Sequence, residues 1–522
     1  MLLAPLRQNK SRAGTSVGAS MPAPVEGWDD ESSLADMSPR RAVIMDNWFP
    51  QPAYVELRRG WALHSTTAKT VPVKTLMAYH APNTGNDKLF GVSDNTIYNV
   101  SASSASATTV ASLTQARLQF VNFTTSGGSY LYTVNGADLP NVFDGSAWSN
   151  PAITGPDEST FINVNVFKSR LYFVQVNSTK IWYLPVDSIA GAATSFELGG
   201  VMSMGGNIVA MGTLTLDGGS GPDDHAVFVT SKGQVIVYQG SDPSDVNAWA
   251  LVGVYNIAPP IGYRCLVKIA GDLGILTTSG LLPLSKAMVV DRASLDNVAL
   301  TGRIQNTFTG AHKDYGDNNG WNVCVYPKGN MCIVNVPVDE DTTSHQYVMN
   351  TLHGAWCRFL GQNAYCWEVY KDRLFFGGMN GKVYEADIAS SDGGTAITAD
   401  LKTAFSYYGS KGTLKQWKMV QTLIFSDGRV APGIKFNVDF QDSVPTYIPS
   451  SGVLNAIYWD NFDWDEVNWP GEGTTSQEWQ SVQVVGQCAA IRMRVIADSD
   501  SASPITLRVN GFNVIYERGG FL

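Results

Sequence analysis

The densest cluster of chemistry-bearing side chains is the run YWDNFDWDEVNWPGEG (458–473). It sets Trp459, Trp464 and Trp469 five apart, with Asp460, Asp463, Asp465 and Glu466 between them and no basic residue. Paired carboxylates can serve glycoside hydrolysis, oxygen ligands can hold calcium, and exposed indoles can stack on sugar rings. The run lacks the central Gly and terminal Glu of an EF-hand loop, and its spacing fits neither a strand face nor a helix face. It reads as a loop anchored by its tryptophans, with a solvated acidic edge.

Other candidates are weaker. NVFDGSAW (141–148) is similar to the sialidase Asp-box, but that motif requires Asp-x-Gly, and here Asp144 is followed by Gly145 and Ser146. A type I turn with a packed Trp148 is the favoured reading. Six histidines are scattered; His345 and His353 lie eight apart and His225 follows two aspartates, with no HExxH or paired Cys/His spacing. Six cysteines (Cys265, Cys324, Cys332, Cys357, Cys366, Cys488) include no CxxC pair. They read as reduced, buried small hydrophobes rather than a disulfide scaffold. GGSGPDDH has no Lys-Ser/Thr to cradle phosphate, and there is no GxSxG elbow. No catalytic residue, metal ligand or cofactor is nominated, and the chain is expected to be noncatalytic.

Charge points the same way. With 36 basic and 46 acidic residues, a net −10, the chain is a poor candidate for gripping nucleic acid through its phosphates. A surface past which DNA moves without sticking stays open. At 522 residues, 44% hydrophobic and mean hydropathy −0.06, it is an ordinary globular composition with room for more than one core. No stretch approaches the roughly 20 apolar residues of a membrane span, and the opening MLLAPL is too short for a secretory h-region. The expectation is assembly in a cytoplasm.

The elements that would position these residues repeat. A strand, turn, strand phrase begins at Asp87, Gly128, Phe167, His225, Gly271, Gly329 and Tyr370, seven copies at intervals of 41, 39, 58, 46, 58 and 41. Most copies alternate apolar and polar residues, break at Asp-Asn, Asn-Gly, Lys-Gly or Asn-Ser, and resume with Ile or Val beside an aromatic. A period near 40–50 predicts a β-propeller of about six or seven blades, since one four-stranded sheet has two apolar faces and must stack to bury them. The longer intervals leave room for inserted loops, with 211–225 as one example. Fifty glycines and few helix-length periodic segments fit an all-β chain.

The flanks differ. From about Asp400 the strands lengthen (LKQWKMVQTLIFSD, AIRMRVIAD, ITLRVNGFNVIYERGG), predicting a β-sandwich-like platform. The opening arm mixes a Pro- and Ser-rich stretch with the apolar AVIMDNWFP and a strand at 53–65, and the C-terminal sheet is its expected host. The predicted domains are 1–70 (arm and platform strand), 71–398 (propeller) and 399–522 (platform). Strands lent by the arm could complete a blade.

The two flanks together resemble the tail nozzle proteins of short-tailed bacteriophages, also called tail tubular protein B or packaged-DNA stabilisation proteins. The residues carrying the resemblance are Pro22, Pro24, Gly27-Trp28, Ser33-Leu34, Met37-Ser38-Pro39, Ala42, Asp46-Asn47-Trp48-Phe49-Pro50, Arg58, Gly60 and Trp61. The tryptophan run with Trp459, Trp464 and Trp469 and the ending GFNVIYERGG add to it. The resemblance implies a structural subunit of the virion tail: a homo-oligomer, as a hexameric ring, that extends the portal and adaptor, retains packaged DNA and conducts it on ejection. The implied partners are the tail adaptor, tail fibre or needle proteins, and double-stranded DNA passing through the lumen without sequence-specific binding. Trp28, Asp46, Asn47, Trp48, Phe49, Pro50, Trp61 and the three later tryptophans are the expected structural or interface residues, and the basic start (Arg7, Lys10, Arg12) could touch the adaptor. The alternative is a propeller that binds or cleaves a cell-surface glycan. A cellular scaffold is third, weakened by the lack of WD40 and Kelch patterns.

Overall fold

The computed structural model describes residues 16–103, 107–110, 112–217, 222–427, 432–446, 450–451, 474–476, 478–497 and 506–521. Its centre is a ring of seven small antiparallel sheets. Blade 1 consists of Val73–Tyr79, Lys88–Ser93, Thr96–Asn99 and Ala107–Val110. Blades 2, 3 and 4 start at Gln119–Thr125, Phe161–Phe167 and Ile208–Asp217, and each has four strands. Blade 5 has three, Leu266–Ile269, Asp272–Thr277 and Gly280–Pro283. Blade 6 starts at Asn322–Tyr326 and blade 7 at Ala364–Tyr370. All seven sequence repeats fall on the second and third strands of a blade, for example Lys88–Ser93 with Thr96–Asn99 and Arg373–Gly378 with Lys382–Ala389.

Local chemistry sets these hairpins. Several two-residue turns are left-handed at both positions: Lys168 and Ser169 (φ 48° and 56°), Ala270 and Gly271 (49° and 82°), Lys371 and Asp372 (50° and 54°). That backbone matches the twist of the strands it joins. The alternation along each strand then feeds two interfaces at once. In blade 4, Ala226 and Phe228 pack toward blade 3 with Phe167, Tyr172 and Ile181, while Val227 and Val229 pack toward blade 5 with Leu273 and Ile275. Similar clusters join blades 1 and 2 (Phe90, Phe143) and blades 2 and 3 (Tyr132, Phe173). Val73, Leu76, Cys366 and Phe375 join blade 7 to blade 1 and close the ring.

Blade 7 is completed by the arm strand Gly60–Thr66, which pairs with Lys382–Ala389. The expected arm strand therefore divides: Val55–Leu57 pairs with the C-terminal Leu507–Phe521, while Gly60–Thr66 enters the ring. Two other expectations are corrected. Residues 211–225 are not an inserted loop, because Ile208–Asp217 and Pro222–Thr230 form one hairpin of blade 4. Where blade 5 lacks a fourth strand the chain turns helical, at Leu284–Ala287 and Gln305–Tyr315, and Leu284, Ala287, Phe308 and Ala311 fill the space with apolar side chains.

The platform is two packed sheets. One continues blade 6 through a bridge between Asp46 and Arg358 into Ala42–Asp46, Ile397–Thr403, Ala489–Ala497 and Gly433–Val438. The other is built on Thr413–Ser426 and Leu507–Phe521, flanked by Ser16–Pro22, Trp48–Pro50 and Val55–Leu57 on one side and by Thr474–Ser476 and Trp479–Gly486 on the other. Trp417 of the second sheet meets Phe436 of the first at 5.6 Å between ring centroids and Tyr516 at 5.1 Å, fixing the sandwich core.

Candidate functional site: the arm clasp and the ring axis

The arm enters beside blade 6. Gly27 is left-handed (φ 81°), and a Cβ there would lie 2.6 Å from the carbonyl oxygen of Trp356, so only glycine fits. This close approach lets the Trp28 N–H donate to the Trp356 carbonyl (2.7 Å). The Trp28 ring meets Tyr347 edge-on at 5.7 Å, and the Arg358 guanidinium covers it at the same distance. Asp29 then organises a turn. Burial alone would raise its carboxyl, but hydrogen bonds from Ser32 and the Glu31 N–H, with the Arg41 guanidinium at 2.6 Å, hold it below the usual range.

The DNWFP segment, 46–50, forms the centre of the clasp. Asp46 receives two parallel bonds from Arg358, from Nε at 2.8 Å and from Nη2 at 2.7 Å. Asn47 is left-handed (φ 61°), a conformation asparagine tolerates. Its side-chain amide donates to the Thr398 carbonyl in the platform (2.8 Å), and its oxygen accepts from the Leu360 N–H after blade 6 and from Arg58 Nε (both 2.8 Å). Trp48 is fully buried and Phe49 meets Phe359 edge-on at 6.3 Å. The Pro50 carbonyl accepts from buried Asn350 in blade 6 (2.9 Å).

Arg58 completes the knot. It is 3% exposed and bonds both oxygens of Asp392, at the end of blade 7, together with the Leu360 carbonyl. Trp61 donates to the Gly361 carbonyl (3.2 Å) and packs on Tyr384 and Phe376. Trp28, Asp46, Asn47, Trp48, Phe49, Pro50 and Trp61 thus meet around one junction where blade 6, blade 7 and the platform come together within a single chain. Trp459, Trp464 and Trp469, the acids between them, and Arg7, Lys10 and Arg12 lie outside the described residues.

The ring axis holds the second cluster. Arg264, in the connection into blade 5, reaches across to blade 1: Nη1 donates to the Lys74 carbonyl (3.0 Å), and Nη2 to Thr75 Oγ1 (2.6 Å) and the Leu118 carbonyl (3.0 Å). Beside it is a cavity of about 300 Å3 lined by Arg117, Tyr263, Arg264, Asn318 and Tyr365 among others. Sequence reasoning missed Arg264, since its partners lie 146–190 residues away and nothing local marks them. Glu368, on the innermost strand of blade 7, is pushed up to about 8 by burial, only partly offset by the Val369 N–H and Arg264. It keeps some accessible surface, yet desolvation is the dominant cause of the shift.

The remaining candidates are absorbed by structure. Asp144 accepts from the Ser146 and Ala147 N–H groups and from the Ser146 hydroxyl, and Trp148 packs on Phe90 and Phe143. All six cysteines are free. His353 bonds the Val25 carbonyl, and His345 is driven down to about 4 by burial and then by Arg358. Among the described residues no group of three His, Cys, Asp or Glu is placed to hold a metal, and no helix is long and apolar enough to cross a membrane.

No protein-family model and no curated protein matches the chain. Solved structures similar to it include BBS1N in complex with ARL6DN, at 10% identity over 64% of this chain and 99% of that chain (TM-score 0.41). The WD40 beta propeller domain of Doa1 is similar at 10% identity over 62% and 96% (TM-score 0.37), and a streptogramin B lyase at 12% over 60% and 95% (TM-score 0.37). The seven stacked sheets described above make the chain a β-propeller with a β-sandwich platform.

Proposed function

We propose that the chain is a noncatalytic subunit of a short-tailed phage tail nozzle, a ring-forming tube wall that retains packaged DNA and conducts it on ejection. The observation that carries this reading is the clasp. The arm residues on which the resemblance rests, from Gly27-Trp28 through 46–50 to Arg58 and Trp61, are the ones that tie propeller to platform. Arm residues that tie the propeller to the platform, with Asp144 spent on a turn, fit a structural part better than an enzyme.

The ring axis bears on where DNA would run. An axis bridged by Arg264 does not admit a duplex whose major groove alone is about 12 Å wide, so the conduit in this reading lies between copies, around a shared symmetry axis. The net charge of −10 agrees with a wall that does not bind phosphate. Electron microscopy of the purified protein and of assembled tails tests the proposal: six-fold rings with an axial channel are expected, and a strictly monomeric particle in the assembled virion would overturn it.

Among the described residues, the cavity beside Arg264 favours a glycan-binding propeller. Glycan-array binding that Arg117→Ala abolishes would move the reading there; no binding leaves the nozzle reading in place.

A further inference from the structure

The second platform sheet ends, on opposite sides, in two strands whose outer edges pair with no described residue. Ser16–Pro22 is held on its inner side to Leu507–Phe521, from Ser16 opposite Glu517 to Pro22 opposite Gly511. Trp479–Gly486 is held on its inner side to Thr413–Ser426, from Trp479 opposite Gln421 to Gly486 opposite Lys415. An open edge is a row of unpaired N–H and C=O groups, and soluble proteins blunt such edges with charge, proline or a covering element. Among the described residues, neither strand is blunted that way along its length. SVGASMP and WQSVQVVG contain no charged residue, and the one proline, Pro22, is terminal. Trp479 and Val485 are 41% and 56% exposed.

Strand direction makes the two edges complementary. Ser16–Pro22 is antiparallel to Leu507–Phe521, which is antiparallel to Thr413–Ser426, which is antiparallel to Trp479–Gly486. The two edge strands therefore run in opposite senses. When a second copy is set beside the first in the same orientation, its Ser16–Pro22 meets the first copy's Trp479–Gly486 antiparallel. The edges are seven and eight residues long, so they match in length as well. We infer that these edges pair head to tail between copies of this chain, continuing one sheet from subunit to subunit. The contact is heterologous, so it closes into a ring when the rotation per subunit divides a full turn. The inference rests on the ring-forming reading above and names the strands that make the joint.

Two lysine variants test it. Gly18→Lys suits the first edge because a Cβ there meets nothing within 4 Å, and Val485→Lys suits the second because the side chain already faces solvent. Sedimentation and mass photometry of the full chain should show rings for the parent and monomers for each variant, with unchanged circular dichroism. A one-to-one mixture of the variants should give dimers through the one intact joint, and no rings. Parent-like rings from both variants would overturn the edge pairing and leave the nozzle reading standing. Loss of assembly with Val485→Lys alone would show that this edge pairs with its own kind, and overturn the head-to-tail joint. A parent chain that stays monomeric at every concentration would overturn it too, whereas the nozzle reading fails only on the particle in the virion.

Discussion

The propeller and the platform are both antiparallel β-structure, yet they are held by different means. Within the ring every blade but the last is made from one continuous stretch of chain, and its interfaces are clusters of aliphatic and aromatic side chains. The platform draws its strands from 16–57 and 397–521 and buries charge to do so. Among the described residues, the four cations least exposed to solvent are Arg58, Lys402, Lys415 and Arg492, all in the arm or the platform, while the ring has a desolvated counterpart in Arg264 at its axis. Arg492 bonds both oxygens of Asp400, and Lys415 is capped by the carbonyls of Ser410, Thr413 and Gln487. A hairpin finds its register through its own turn, whereas strands hundreds of residues apart have no turn to align them. Our hypothesis is that the buried charges supply that alignment, since a misplaced strand would leave an ion unpaired in the core.

The contrast can be broken most directly at Arg58. Arg58→Ala leaves Asp392 buried without its partner and should cost about 3–5 kcal/mol in urea denaturation. The double variant Arg58→Met with Asp392→Leu should recover most of that loss, because no charge is stranded. A single variant within about 1 kcal/mol of the parent would mean that the clasp holds nothing together.

Next in size is a difference in pH response. Glu368 in the ring has a folded-state pKa raised from the usual carboxyl value to about 8, chiefly by burial. Its contribution is therefore full at low pH and lost as pH rises toward 8. His345, next to the clasp, is depressed to about 4 by burial, so its contribution is present above its ordinary value and lost as pH falls toward 4. Thermal midpoints between pH 4 and pH 9 should show Glu368→Gln removing the decline that runs from the ordinary carboxyl value up to about pH 8, and leaving the His345 limb below the ordinary imidazole value. An unchanged decline over that range would remove Glu368 from the account.

A smaller probe lies inside the ring. Ile236→Val, at the interface of blades 3 and 4, should cost about 0.5–1.5 kcal/mol with no change in pH profile. Smallest of all, Lys418→Ala removes a partly exposed pair with Glu517 and should change stability by less than about 1 kcal/mol. A larger loss there would extend the platform's dependence on charge out to its surface.

How far the sequence is legible follows the same division. The seven hairpins can be read because alternation and turn residues such as Lys168-Ser169 act within a dozen residues. The short fifth blade and the helix Gln305–Tyr315 cannot, since a helix with only Phe308 and Ala311 buried leaves little periodic trace. The arm's composition announces anchors, and 46–50 carries them, but not that Val55–Leu57 and Gly60–Thr66 go to different sheets. Asn47 shows why: its conformation is local, but its three partners come from Arg58, Leu360 and Thr398. Arg264 is lost for the same reason.

Closure of blade 7 by Gly60–Thr66 also sets a schedule for biosynthesis. That strand leaves the ribosome more than 300 residues before its partner Lys382–Ala389 is made. At about 5–20 residues per second the delay is on the order of 15–60 s. During it, six blades can stack in order of appearance while the arm strand waits without its neighbour. The last step in making the ring is thus the return of a segment made before any blade, and a nascent chain stalled before residue 382 would hold a row of six blades that cannot yet become a circle.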